Sequence, residues 1–139
     1  MKTLRYIALA GILLMTFSCE LPDDTTLTVA QRLEGRWKVN EDPIDFKNAQ
    51  DFYYIYIDIY EVDDNTIAID NFFDLHEGAV YATISGMNLD IAQQELGGYS
   101  IYGSGTIASD FKKITWQYFV DEGSGVWHPT TAVYEKADY

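Results

Sequence analysis

The feature that most constrains this chain is a period of two. From Phe52 to Val62 the sequence reads FYYIYIDIYEV. One face carries Tyr53, Ile55, Ile57, Ile59 and Glu61, the other Phe52, Tyr54, Tyr56, Asp58, Tyr60 and Val62. Successive side chains of a strand point to opposite faces, and β-branched and aromatic residues suit a pleated surface. The same alternation recurs in Gly35–Asn40, Thr66–Phe72, Ala79–Ile84, Leu89–Ala92, Tyr99–Ile107, Ile114–Val120 and Trp127–Lys136. Between them lie turn-forming runs: Asp63-Asp64-Asn65, Ser85-Gly86-Met87-Asn88, Ser109-Asp110 and Asp121–Gly125. Eight strands joined by tight turns, with no intervening helices, point to a barrel or a sandwich.

Three details refine this expectation. Thr28 with Gln31 three residues on fits a capping box, so a short helical turn should run to Leu33 and stop before Gly35. Gly103 and Gly105 inside one strand predict a bulge or sharp bend. Pro129 lacks a ladder donor and should sit at a bulge or an unpaired edge. For the strand over 52–62, an isoleucine triplet packs better than a tyrosine row broken by an acid. Ile55, Ile57 and Ile59 are therefore expected inside, with the tyrosines outside.

The N-terminus reads as an address. Lys2 and Arg5 precede the uncharged run Tyr6–Phe17. That run is shorter than the roughly 20 residues a spanning helix needs, and it fits the core of a secretory signal peptide over residues 1–18. Thr16-Phe17-Ser18-Cys19 resembles a bacterial lipobox. The resemblance implies cleavage before Cys19, with diacylglycerol linked to its thiol and palmitate-type acyl chains as the anchor. Cys19 is the only cysteine among 139 residues, so no intrachain disulfide can form. Residues 20–26, ELPDDTT, resemble the acidic export signal of surface lipoproteins in Bacteroidetes-type bacteria, and they read equally as a solvated linker. The organisation expected is a signal peptide (1–18), a lipid-anchored acidic tether (19–27) and one domain (28–139), held at the cell surface of the outer membrane.

Charge excludes a further class. Lys and Arg total 9 against 22 Asp and Glu, a net −13, so no basic face is available for a phosphate backbone and no nucleic-acid partner is expected. Membrane attachment should come from the acyl chains alone.

Leu33-Glu34-Gly35-Arg36-Trp37-Lys38-Val39 resembles the lipocalin and calycin superfamily, in which a helical turn leads into Gly-x-Trp on the first strand. The segments Ile69–Phe72, Leu89–Gln94, Tyr102–Thr106 and Thr131–Lys136 resemble small lipocalin-like lipoproteins of Bacteroidetes. The resemblance implies an eight-stranded antiparallel up-and-down barrel with Gly35 and Trp37 as a structural plug at one end. It also implies a basic residue on the last strand covering the Trp, a place only Lys136 could take.

Catalytic signals are few. Ser100, Ser104 and Ser109 lack a nucleophile-elbow context, and the two histidines, His76 and His128, are scattered. No catalytic residues, metal ligands or cofactors are assigned. Asp58 is either a carboxylate buried among tyrosine hydroxyls or a solvated one. The composition is rich in aromatics, with 11 Tyr, 7 Phe and 3 Trp. Trp37 and Trp116 read as core, whereas Tyr54, Tyr56, Tyr60 and Trp127 are candidates to bind a ligand or partner. The function expected is a non-enzymatic surface lipoprotein binding an apolar small molecule, a glycan or a protein. The alternative is a structural envelope lipoprotein with no small-molecule ligand. An open aromatic-lined lumen would favour the ligand, and a packed lumen with exposed tyrosines would favour docking.

Overall fold

The computed structural model describes residues 27–42, 52–60 and 64–138. The signal peptide, Cys19 and all of the tether but Leu27 lie outside these residues, as does Asp63 of the first expected turn. A short helix, α1 (Val29–Leu33), precedes eight strands. They are β1 (Gly35–Glu41), β2 (Tyr53–Ile59), β3 (Thr66–Asp70), β4 (Ala79–Ser85), β5 (Asn88–Leu96), β6 (Tyr99–Ile107), β7 (Lys113–Asp121) and β8 (His128–Lys136). Each pairs antiparallel with the next, and β1 closes onto β8, so the sheet is a closed up-and-down barrel. Closure leaves only short unpaired stretches of strand edge.

The capping box forms as expected. Gln31 donates its amide N–H to Thr28 Oγ1 at 3.2 Å, and Thr28 donates its own to Gln31 Oε1 at 2.8 Å. Gly35 then turns the chain at φ 124°, a conformation that favours glycine. Trp37 follows on the inward face, fully buried, and donates its indole N–H to the Leu33 carbonyl at 2.8 Å. This satisfies a carbonyl orphaned at the end of α1. Lys136 takes the covering place: its Nζ lies 5.6 Å from the Trp37 ring centroid and donates to the Arg32 carbonyl.

The inward residues of all eight strands form one continuous core that fills the lumen. Its largest fully buried side chains are Trp37, Trp116, Tyr118, Tyr134, Phe72 and Phe73. Ile55 and Ile57 are buried and Ile59 is half-buried, so the isoleucine face of β2 points inward.

Three expectations change. The strand from Thr66 stops at Asp70, not Phe72. Consecutive Phe72 and Phe73 cannot both face inward on a strand, so the chain turns at Asn71 (φ 60°) into a 3-10 turn over Phe72–Asp74. Phe73 itself sits at φ 57°. Both rings close the barrel opposite α1, packing on Tyr118 at centroid distances of 4.9 and 6.2 Å.

The bulge lies not in β6 but beside it in β5. There the register shifts between Ile91 and Gln94, while β6 and β7 pair without interruption through both glycines. Gly103 and Gly105 are instead places of close approach. A Cβ on Gly103 would lie 2.5 Å from Tyr118 Cα, and one on Gly105 would lie 2.7 Å from the Trp116 ring. The strand expected from Leu89 to Ala92 is consequently longer, since β5 resumes beyond the bulge and runs to Leu96. Pro129 occupies the part of β8 that pairs with β7 alone, as β1 begins its register with β8 at Ala132.

Candidate functional site

The outward residues of β2 build the most unusual surface of the barrel. Tyr54 and Tyr56 are each 38% exposed and Tyr60 is 40% exposed. Phe52 and Tyr81 extend the row, so among the described residues five of the seven exposed large hydrophobics share one wall. Phe52 meets Tyr54 edge-on at 5.7 Å. Tyr60 meets Tyr81 of β4 at 5.1 Å. The intervening strand β3 offers Ala68 opposite both Asp58 and Tyr81, and its small side chain leaves room for that contact.

Neighbouring elements fix the rings. The Arg36 guanidinium lies 3.7 Å from the Tyr54 ring centroid, and Lys38 Nζ lies 4.3 Å from that of Phe52. Both are diagonal contacts across the β1–β2 pair, where Lys38 opposes Tyr54 and Arg36 opposes Tyr56. Asn71 donates its side-chain N–H to the Tyr54 carbonyl at 2.8 Å and accepts from His76 N–H at 3.0 Å, tying the 3-10 corner to β2. Gln94, aimed by the β5 bulge, bonds both backbone groups of Tyr81 at 2.9 Å. Its amide continues the ladder where β5 pairs with β4 only from Asn88 to Asp90. A shallow groove of about 250 Å³ runs along this wall, lined by Arg36, Tyr54, Ile55, Tyr56, Asp70 and Asn71.

Sequence reasoning found the tyrosine row but not its supports. Nothing in the sequence marks Arg36, Lys38, Asn71, Tyr81 or Gln94 as belonging with the tyrosines, and only strand register brings them to the wall. Trp127 is separated from the row. It is half-buried before β8 and packs edge-on against Tyr102 of β6 at 4.8 Å, on the far side of the barrel from β2. Asp58 is half-buried on the outer face of β2, between Tyr56 and Tyr60. His76 is exposed in the loop after the 3-10 turn, and among the described residues no group of three His, Cys, Asp or Glu could hold a metal ion.

The lumen has polar groups of its own. Tyr53 donates its hydroxyl to Glu41 Oε1 at 3.0 Å. Burial, reinforced by the Glu41 carboxylate, pushes the Tyr53 phenol far above the usual tyrosine range, and burial does the same to Tyr134. Trp116 Nε1 and the hydroxyls of Tyr118, Thr130 and Tyr134 are buried without hydrogen-bond partners among the described residues. No protein-family model and no curated protein matches the chain.

Proposed function

We propose that this chain is a non-enzymatic, lipid-anchored surface protein that binds a saccharide on its outer aromatic wall. A filled lumen with five exposed rings on one wall speaks for docking on the outer face over an internal ligand, and the polar groups lining the groove there carry the reading from a protein partner to a saccharide. A sugar presents C–H faces that stack on such rings and hydroxyls that need directional partners. The groove supplies those partners in the Asp70 carboxylate, the Asn71 amide and the Arg36 guanidinium. Tyrosine combines a flat apolar body with a wet hydroxyl, a combination suited to a half-exposed platform. The anchor reading rests on Cys19, the sole cysteine, placed at the end of the apolar leader. The acyl chains attach the protein to the outer membrane, and the tether presents the barrel at the cell surface.

Glycan-array binding with the purified Cys19→Ser chain tests the wall. Tyr54→Ala and Tyr56→Ala should each weaken binding about tenfold, equivalent to about 1.4 kcal/mol. Unchanged binding in both variants would sink the proposal, and a ligand found inside the barrel would redirect it to the lumen. The anchor is tested separately in a bacterial host. Labelled fatty acid should enter the wild-type chain and not Cys19→Ser, and a Ser variant that stays membrane-bound after leader cleavage refutes it.

A further inference from the structure

We infer that the saccharide taken by this wall is anionic, its acid group held between Arg36 and Lys38. The inference rests on the saccharide reading above and adds the charge of the ligand. The chain is strongly acidic, with 22 Asp and Glu against 9 Lys and Arg. Two neighbouring cations on an outward strand face therefore stand out, although Glu135 opposes Lys38 in register and Asp58 and Asp70 share the wall. Among the described residues the other basic side chains, Arg32, Lys112, Lys113 and Lys136, belong to α1 or to strand ends and turns on the α1 side of the barrel. Arg36 and Lys38 alone stand on the aromatic wall.

Both cations are held by rings, and neither makes a close ion pair among the described residues, although Glu135 stands opposite Lys38 on β8. Each lies over a ring, Arg36 on Tyr54 and Lys38 on Phe52. No carboxylate among the described residues lies within ion-pair distance of either. A ring takes one face of a guanidinium and leaves the N–H edges in its plane open, and those edges match the two oxygens of a carboxylate or sulfate. A neutral sugar would stack on tyrosines without needing this fork. Asp70, across the groove, accepts from sugar hydroxyls and disfavours a second acid group on that side. The occupant is thus a saccharide carrying a uronate carboxylate or a sulfate ester on the β1 side of its ring.

The test compares matched pairs by calorimetry with the purified Cys19→Ser chain. One pair is a galacturonate hexasaccharide and its methyl ester. The other is a sulfated hexasaccharide and its desulfated form. The acid member of at least one pair should bind tenfold or more tightly than its neutral mate, and the preference should weaken with salt. Which pair shows it separates carboxylate from sulfate. Arg36→Gln with Lys38→Gln should abolish the preference while leaving neutral binding in place, and Arg36→Lys should restore part of it. Far-UV circular dichroism confirms that each variant is folded. Equal binding of acid and neutral members, still dependent on Tyr54 and Tyr56, overturns this inference and leaves the saccharide reading standing. A preference removed by Lys112→Gln instead of the β1 changes also overturns it. If neither these probes nor the neutral glycans of the array bind, both readings fall.

Discussion

Trp37→Ala tests the construction of the barrel floor. The indole is fully buried between α1 and the core, and its N–H fills the Leu33 carbonyl at 2.8 Å. Truncating a buried Trp costs about 3–5 kcal/mol in lost transfer energy and cavity formation. The Leu33 carbonyl loses its donor at the same time, which costs about 1–3 kcal/mol if water cannot reach it. Against a domain stability of about 5–15 kcal/mol, the variant should be close to unfolded at 37 °C if the total is near the lower end. Trp37→Phe narrows the question, because it keeps part of the ring contact while removing the donor and leaving a smaller cavity. It should lose about 1–3 kcal/mol. Lys136→Met keeps the stem over the ring and removes the charge. A double-mutant cycle with Trp37→Phe then reads the coupling of cation, ring and Arg32 carbonyl. Guanidinium unfolding followed by far-UV circular dichroism is the appropriate assay, since Trp116 and Trp127 would blur a fluorescence signal. A loss below about 1 kcal/mol for Trp37→Ala, with an unchanged denaturant slope, would refute the reasoning.

Gly103→Ala should cost more stability than Gly105→Ala in thermal denaturation. Its Cβ meets the Gln117 carbonyl and Tyr118 backbone at 2.5 Å, whereas that of Gly105 meets a side-chain ring. Overpacking costs about 1–3 kcal/mol, and a reversed order would show that Trp116 cannot give way. Tyr134→Phe should be neutral or stabilising by up to about 1 kcal/mol in urea unfolding, because the hydroxyl is buried without a partner. A loss beyond 1 kcal/mol would reveal a hydrogen bond there. Stability should fall as pH rises above 10, the ordinary tyrosine value. The unfolded chain then releases phenolic protons that Tyr53 and Tyr134 retain when folded, so the folded state binds more protons and loses ground with rising pH. Tyr53→Phe should move the alkaline unfolding midpoint upward, and an unmoved midpoint counts against a buried phenol.

The barrel was legible in the sequence because its signal is local. Period two fixes which residues share a face, and the isoleucine triplet of β2 fixed which face was inside. The capping box at Thr28 and Gln31 was legible for the same reason, with donor and acceptor three residues apart. What escaped depended on contacts far apart in sequence. Gly103 and Gly105 look like bulge glycines until Tyr118 and Trp116 are seen lying against them across the β6–β7 pair. Phe72 looked like the end of a strand, but its neighbour Phe73 needed the same interior. Left-handed backbone at Asn71 and Phe73 resolved that conflict. At the wall, the tyrosines were visible by pattern, but Trp127 was grouped with them only by residue type. Circular strand order places it across the barrel from β2.

The filled lumen bears on where an occupant can sit. An eight-stranded barrel has room either for its own side chains or for one small ligand. Here Trp116, Tyr118, Tyr134, Phe72 and Phe73 take that room. A ligand entering it would have to displace at least one large ring, each worth about 1.5–3 kcal/mol of burial, before making contacts of its own. The outer wall makes no such demand, because its rings are already half in water. That exposure carries its own hazard, since five rings on one wall invite two copies to pair. The net charge of −13 opposes such pairing by mutual repulsion, more weakly as salt rises. Arg36 and Lys38 lessen that repulsion at the wall, where Asp58, Asp70 and Glu135 stand beside them. On the proposal above, an anionic saccharide would be turned away by most of the surface and held at the strand pair where the aromatic row stands.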